Sequence, residues 1–266
     1  MVEGKGAQIS HIAPMFLEWD KELIHAGLEG GMGRVWADRL PNPTAARLIV
    51  GDFCFLAGDA FASGAADLTA QIPPEFSSDT ILMVPQKDAW SHLIERTFPG
   101  RFVKLTRFSF LRDDTGFDRT RLQSFVDALP PNYQLRQIEE SLYPAVMSQA
   151  WSRDLCAQFA SGADFCARGL GVAALKENEV VGGASSYVVS SSGIEIEVDV
   201  REDCRRQGIA RACAAKLMLL CLARGIYPGW DAANPASKAL ALSLGYQFDK
   251  PYLTYAVAGN KHPRIE

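Results

Sequence analysis

The residues best suited to chemistry begin with a short basic turn in the C-terminal half of the chain. Small residues and positive charge come together at the predicted start of a helix, where backbone N–H groups are free and the helix dipole is positive. Such a turn is suited to holding a phosphate or pyrophosphate, and Gly208 and Ala210 leave room for a bulky anion near the backbone. The turn consists of Arg205, Arg206, Gln207, Gly208, Ile209 and Ala210.

Three carboxylates precede the turn at alternate positions of the segment GIEIEVDV, residues 193–200. Isoleucine and valine occupy the positions between them, which is the period of a strand, so Glu195, Glu197 and Asp199 share one face. A carboxylate that faces a cleft can accept a proton directly or through water, especially where burial raises its pKa. We rank Glu197 first and Glu195 second as a general base. The alternative is a solvated polar face, which is ordinary for an antiparallel strand.

A strand and a long helix must position these residues. GIEIEVDV is the strand, and GLGVAAL and EVVGGASSYVV before it predict two further antiparallel strands joined by hairpin turns. From Ile209 to Arg224 the sequence has no Pro or Gly and is dominated by good helix formers. Gly225 then stands where a left-handed C-cap is expected.

The pattern Arg205-x-x-Gly208-x-Ala210, after a strand and opening a helix, resembles the acetyl-CoA pyrophosphate loop of the GCN5-related N-acetyltransferases (GNAT). The remaining pieces of that family follow in order: YPGWD (227–231), Asn234, a helix through SKALALSL, and a Gly245-Tyr246 turn into a final strand. The stretch WDAANPASKALALSLGYQFDKPY resembles one GNAT subgroup in particular, which includes the zwittermicin-type antibiotic-resistance acetyltransferases. The resemblance covers about the last half of the chain.

The resemblance implies acetyl-CoA as the cofactor and a GNAT fold, which is a central mixed, mostly antiparallel sheet flanked by helices. It implies that backbone groups of Val198 and Val200 pair with the pantetheine arm, and that the amides of residues 205–210 hold the pyrophosphate. Asn234 and Ser237 then approach the pantetheine from the next helix. The implied reaction is direct attack of a deprotonated amine on the thioester.

The sequence departs from the family at the position of the residue that protonates the leaving thiolate. Many GNAT enzymes carry a Tyr four residues before the Gly of the last turn, and Ala241 occupies that position here. Because a thiol has a pKa near ~8.5, the thiolate is a tolerable leaving group without an acid. Tyr246 is our candidate substitute, followed by Tyr252 and Tyr255, with packing as the alternative role. Cys204 is expected to pack rather than to form an acyl-cysteine.

Composition limits the classes of function. Of 266 residues, 48% are hydrophobic and 22% charged, which is ordinary for a globular protein. The formal net charge of −4 argues against nonspecific nucleic-acid binding. There is no apolar run long enough to span a membrane and no signal peptide, so we expect a cytoplasmic protein. The six cysteines form no C-x-x-C pair and the four histidines are scattered, so we expect no metal site.

The fold class predicted for the whole chain is α/β with two domains. Pro130-Pro131 predicts the boundary, giving an N-terminal domain over residues 1–130 and the GNAT domain over 131–266. The first domain is predicted to hold a helix over His11–Leu28, a hairpin or a bulge within Ala46–Gly58, and further α/β elements without an intact phosphate loop. We interpret it as a degenerate GNAT-like half that forms one wall of the substrate cleft.

The sequence therefore predicts an acetyl-CoA-dependent N-acetyltransferase that acts on a primary amine of a small molecule, with amine-bearing antibiotics as one class. One alternative is a protein or peptide amine as the acceptor. Another is a non-catalytic acyl-CoA-binding module, which the replacement of the usual Tyr by Ala241 suggests. The sequence does not indicate an oligomeric state.

Overall fold

The computed structural model describes residues 1–76, 80–113 and 116–259 and divides the chain into two compact units. Unit 1 comprises residues 1–107 together with the chain from residue 251 onward, and unit 2 comprises Phe108–Lys250. The chain passes between the units inside two long strands, which are β6 and β12 below.

Unit 1 contains β1 (Val2–Gly4), α1 (Ile9–Ile12), α2 (Glu22–Leu28), β2 (Gly33–Ala37), β3 (Ala45–Val50), β4 (Phe53–Gly58), α3 (Ala65–Ala70), β5 (Thr80–Pro85), α4 (Asp88–Thr97) and the start of β6 (Phe102–Leu111). Short 3₁₀ segments lie at Gly6–Gln8, Ala13–Phe16 and Pro74–Phe76.

Unit 2 contains the end of β6, then α5 (Arg119–Asp127), β7 (Tyr133–Gln137), α6 (Tyr143–Ser148), α7 (Gly162–Arg168), β8 (Gly171–Lys176), β9 (Glu179–Val189), β10 (Gly193–Val200), α8 (Ile209–Arg224), β11 (Tyr227–Gly229), α9 (Pro235–Leu244) and the start of β12 (Gln247–Ala258). The 3₁₀ segments here are Arg153–Leu155 and Glu202–Cys204.

The two units repeat one order of elements. The seven-stranded sheet has the order β1-β2-β3-β4-β5-β12-β6, and the five-stranded sheet the order β11-β10-β9-β8-β7. In each, the first four strands in sequence pair antiparallel, and the fourth pairs parallel with a fifth after one intervening helix. The α/β fold predicted for the chain is confirmed, and the matching topology is consistent with two GNAT-like halves.

The strand and helix that flank the basic turn form as the sequence predicts. In β10, Ile194, Ile196 and Val200 lie in the core of unit 2, together with the buried face of α8. The helix runs over Ile209–Arg224 and ends at Gly225, whose φ of 70° is left-handed. The hairpin predicted over Ala46–Gly58 is also confirmed, as β3 and β4.

The helix predicted over His11–Leu28 is wrong as one element. Pro14 lies in the first turn of a 3₁₀ segment, and the chain leaves helical structure before α2 begins at Glu22. Proline has no N–H to donate and clashes with the preceding turn, so it interrupts a helix.

The Pro130-Pro131 pair lies inside unit 2 rather than between the units. The helix before it, α5, buries Leu122 completely in the core that it shares with α8. Arg119 of α5 also donates from Nη2 to the Leu222 carbonyl at 2.9 Å. The prolines therefore end a helix whose apolar face packs within unit 2.

Candidate active site

An open edge of β10 forms the base of a groove in unit 2. The parallel partner β11 covers only Gly193–Glu195, and β10 continues beyond it to Val200. The groove has a volume of about 660 Å³ and lies between this edge, the basic turn, the start of α8 and one side of α9. Nine of the residues predicted to contact a cofactor line it: Val198, Val200, Arg205, Arg206, Gly208, Ile209, Ala210, Asn234 and Ser237.

The backbone of Val200 is turned toward the groove. The next residue, Arg201, donates its N–H to Val181 of β9, so the amide of Val200 points away from that ladder. The Val200 N–H donates to Oδ1 of Asp199 at 2.7 Å, and the Val200 carbonyl accepts from Nε of Arg205 at 3.0 Å. Side chains of this chain thus satisfy the two backbone groups that would otherwise pair with an added strand or an amide arm.

The basic turn has two left-handed residues, one on each side of Gln207. Arg206 has a φ of 62° and Gly208 a φ of 83°. A Cβ added at Gly208 would meet nothing within 4 Å, so that face of the turn is open. Left-handed residues next to helical ones aim successive N–H groups into one concavity, which is an anion-binding arrangement.

Gln207 is the one predicted cofactor residue that does not line the groove. Its Oε1 accepts a hydrogen bond from the Tyr133 hydroxyl at 2.5 Å, and its Nε2 lies 3.5 Å from the Asp203 carbonyl. This contact could not be predicted from the sequence, because Tyr133 lies on β7, far from Gln207 along the chain.

The start of α9 forms the opposite wall. Asn234 caps this helix by accepting the Ser237 N–H at 2.9 Å, which is a preferred arrangement at a helix N-terminus. The Ser237 hydroxyl accepts from Nε1 of Trp230 at 3.2 Å. The sequence analysis did not assign Ala236 and Leu240, which add an apolar surface beside these polar groups.

The three carboxylates of β10 differ in their surroundings. Glu195 is 5% exposed, whereas Glu197 and Asp199 are half-buried, so a fully solvated face is wrong for Glu195. The same face of the neighbouring strand β9 is covered, because a Cβ at Gly183, the partner of Asp199, would lie 2.7 Å from Leu155. Burial raises the pKa of Asp199, and Asp154 raises it further, while the Val200 N–H and Arg205 act in the other direction.

Tyr246 does not reach the groove, and a proton-donor role for it is not supported. Its side chain is 4% exposed, and its hydroxyl donates to the Pro228 carbonyl at 2.6 Å. Burial raises its pKa well above that of an ordinary tyrosine. Its ring contacts Trp230 and Phe117 in the core of unit 2, an environment that favours the packing alternative. Tyr255 is buried as well and bonds Glu95 in unit 1.

In unit 1, side chains fill the position at the end of β4 that corresponds to the open edge of β10. Beyond the end of the β4–β5 pairing, the Gly58 N–H donates to Oε1 of Gln86 at 2.8 Å, and the Gly58 carbonyl accepts from Trp90 at 3.0 Å. Nε2 of Gln86 donates to the Met15 carbonyl at 3.0 Å. The loop after β4, residues 59–64, contains an aspartate and no basic residue.

Residues 1–76, 80–113 and 116–259 hold no cluster of three or more His, Cys, Asp or Glu side chains placed to bind a metal ion. In the same ranges, no helix combines the length and apolar character needed to cross a membrane.

Known proteins resemble the chain over both units. Residues 13–255 match the family model described as GNAT acetyltransferase. A crystal structure of a GCN5-related N-acetyltransferase-like protein from Streptococcus suis 89/1591 is 40% identical, with a TM-score of 0.86 over 94% of this chain and 98% of that one. The uncharacterized N-acetyltransferase YdfB of Bacillus subtilis (strain 168) is 26% identical over 183 residues, 67% of each chain.

A more distant structure shows the same fold. An X-ray structure of a Drosophila protein is 11% identical, with a TM-score of 0.64 over 97% of this chain and 98% of that one. The match to the family begins at residue 13, so it extends well beyond the C-terminal half where the sequence motifs lie. Enzymes of this family use acetyl-CoA. The chain belongs to the GNAT acetyltransferase family and is an N-acetyltransferase.

Proposed function

We propose that the protein binds acetyl-CoA in the groove of unit 2 and transfers its acetyl group to a primary amine of a small molecule. The observation that carries the proposal is the outward-facing backbone of Val200 at one end of a groove whose other end is the basic, left-handed turn. An amide-bearing arm and an anionic group need these two features at once.

The residues of the groove fit this cofactor. The open edge of β10 at Val198 and Val200 would offer backbone groups to the pantetheine arm, and the amides of residues 205–210 would hold the pyrophosphate. Arg205 and Arg206 add positive charge, while Asn234 and Ser237 wall the opposite side. Acetyl-CoA, when bound, supplies the acetyl group as a thioester.

Glu197 is the proposed general base. It lies between the deeply buried Glu195 and the groove-lining Asp199 on one face of β10, and it is half-buried, so it can exchange a proton with an acceptor ammonium or with water. Glu195 is the second choice because it is almost inaccessible. No tyrosine lines the groove within the ranges that the structure describes, and the low pKa of a thiol lets the thiolate leave without an acid.

The acceptor class is the finer part of the proposal. The resemblance of residues 230–252 to the zwittermicin-type subgroup supports amine-bearing antibiotics as one class of acceptor. A screen should therefore contain such antibiotics, simple diamines, amino sugars and lysine-containing peptides.

Turnover tests the proposal. We expect the protein to convert at least one small primary amine with acetyl-CoA to its N-acetyl product, detected by mass spectrometry. Glu197→Gln should lower kcat by roughly a hundredfold or more, the range of a lost general base, while the affinity for acetyl-CoA stays within twofold.

Glu177→Gln is the matched control, since it makes the same change in the exposed turn between β8 and β9. Acetylation of peptides and of no small amine would transfer the proposal to a macromolecular acceptor. Binding of acetyl-CoA without turnover of any amine would contradict catalysis and favour an acyl-CoA-binding module.

A further inference from the structure

The contact between Tyr133 and Gln207 joins a buried core residue to the tip of the basic turn. Tyr133 is 8% exposed, and its ring belongs to the same core as Leu122 and Ile209. Its hydroxyl donates to Oε1 of Gln207 at 2.5 Å. Because the ring is fixed by packing, the hydroxyl is a rigid point of attachment for an otherwise exposed loop residue.

The turn needs such an attachment because of its backbone. Gln207 lies between Arg206 at a φ of 62° and Gly208 at a φ of 83°. Glycine adopts the left-handed region readily, but for a residue with a side chain this conformation is unfavourable. Arg206 therefore stays left-handed only where neighbouring contacts hold the chain.

Several contacts hold the start of the loop. Arg201 pairs with Asp203 at 2.7 Å and with Glu179 at 3.1 Å, which fixes the 3₁₀ segment. Arg205 is tied to the Val200 carbonyl. At the tip, the Gln207 side chain has a short bond from the Tyr133 hydroxyl at 2.5 Å and a longer one from its own Nε2 to the Asp203 carbonyl at 3.5 Å.

We propose that Tyr133 is a positioning residue for the cofactor. Its hydroxyl holds Gln207, and Gln207 keeps the amides of Arg206–Gly208 in the concave arrangement that receives the pyrophosphate. The inference rests on the proposed function of the groove. In this proposal the Gln207 side chain does not contact the cofactor. Its bond to Tyr133 instead keeps the turn in shape.

A double-mutant cycle on acetyl-CoA affinity tests the proposal. Calorimetric titration would compare the wild type with Tyr133→Phe, Gln207→Ala and the double variant. We expect each single variant to weaken binding by about 2- to 10-fold, the range of one neutral hydrogen bond. The double variant should be no weaker than Gln207→Ala, because both changes remove the same contact. Each single variant should raise the KM for acetyl-CoA by a larger factor than it lowers kcat.

Tyr255→Phe is the matched control, since it removes one phenol hydroxyl that donates to Glu95 in unit 1, and it should leave the affinity unchanged. Two results would overturn the proposal while the wild type still binds: an unchanged affinity in both single variants, or effects that multiply in the double variant. If Tyr133→Phe fails to fold, the test rests on Gln207→Ala, which changes an exposed residue. An unchanged affinity for acetyl-CoA in that variant rejects the positioning role. Failure of the wild type to bind acetyl-CoA would instead reject the proposed function itself.

Discussion

At Val200 two backbone groups leave the β9 ladder and are satisfied by the side chains of Asp199 and Arg205. These two side chains are also 3.9 Å apart as a weak ion pair. An amide arm that pairs with Val200 must displace both contacts. Asp199 therefore also bears on cofactor binding, since its partly buried carboxylate lines the groove that we propose for an anionic cofactor.

The raised pKa of Asp199 has a consequence for stability. A carboxyl whose pKa is higher in the folded state favours folding when protonated, so its contribution is lost as the pH rises through the folded pKa. We expect Asp199→Asn to melt at a higher temperature than the wild type at pH 7, with the difference vanishing below the ordinary aspartate pKa. The side chain is 35% exposed, so solvent screening keeps the gain below about 1 kcal/mol.

Asp203→Asn is the control, and its expected change in melting temperature at neutral pH has the opposite sign. Arg201 holds the pKa of Asp203 below its usual range, so this carboxylate stabilises the fold at neutral pH, and the benefit is lost as the pH falls through the lowered pKa. Thermal melts of both variants between pH 3 and pH 8 would check the pair. A lower melting temperature for Asp199→Asn at pH 7 would contradict the account of its burial.

At the residue scale the sequence predicted which residues surround the groove, but not the hydrogen bonds between them. Nine of the ten cofactor candidates line it because the strand, turn and helix are local features that adjacent residues determine. Gln207 and Tyr246 differ, because their partners Tyr133 and Pro228 lie on other elements. Contacts of that kind depend on tertiary packing, which a periodicity in the sequence does not encode.

At the scale of elements, α8 carries the turn and anchors it in the core of unit 2. Its bounds could be predicted because helix formers run without interruption to a glycine cap. Cys213 and Cys221 lie on its buried face, and burial raises the pKa of each thiol to about 12. The N-terminal helix was harder to predict, since Pro14 breaks an otherwise helical pattern into short pieces.

The packing of α8 can be tested by thiol labelling. All six cysteines lie in the described ranges, and among them Cys166 is exposed while the rest are buried. We expect a thiol reagent at pH 7.5 to modify one cysteine per native chain quickly, and six after unfolding.

The rate for Cys166 should increase with pH above the ordinary thiol range, because burial first, and then Glu140 and Glu139, raise its pKa. Cys166→Ser should abolish the fast phase. Rapid reaction of Cys213 or Cys221 in the native protein would contradict the packing of α8.

At the scale of the whole molecule, the two units share a topology but differ at the corresponding slot. Unit 2 leaves the edge of β10 open beside a basic turn, whereas unit 1 fills its slot with Gln86 and Trp90 and follows it with a loop that lacks positive charge. The sequence predicts an N-terminal domain that is a degenerate GNAT-like half without an intact phosphate loop, and the matching topology is consistent with two such halves. The strand pairing itself could not be predicted, because it is not visible in residues that have diverged.

These differences lead us to expect one acetyl-CoA site per chain. In unit 1 the carboxamide of Gln86 already bonds the Gly58 N–H, so an amide arm would have to displace a half-buried, hydrogen-bonded side chain. No basic turn compensates for that loss.

Calorimetric titration with acetyl-CoA tests the central claim most directly, using the wild type, Gly208→Glu and Gly225→Glu. Both glycines are left-handed, with φ of 83° and 70°, and an added Cβ at either meets nothing within 4 Å. The two substitutions therefore cause a similar backbone strain. The glycines lie at opposite ends of α8, and of the two only Gly208 borders the groove.

We predict that the wild type and Gly225→Glu bind one equivalent of acetyl-CoA per chain. Gly208→Glu should show no binding at concentrations that saturate the wild type. Undiminished binding by Gly208→Glu, two equivalents per chain, or no binding by the wild type would contradict the account.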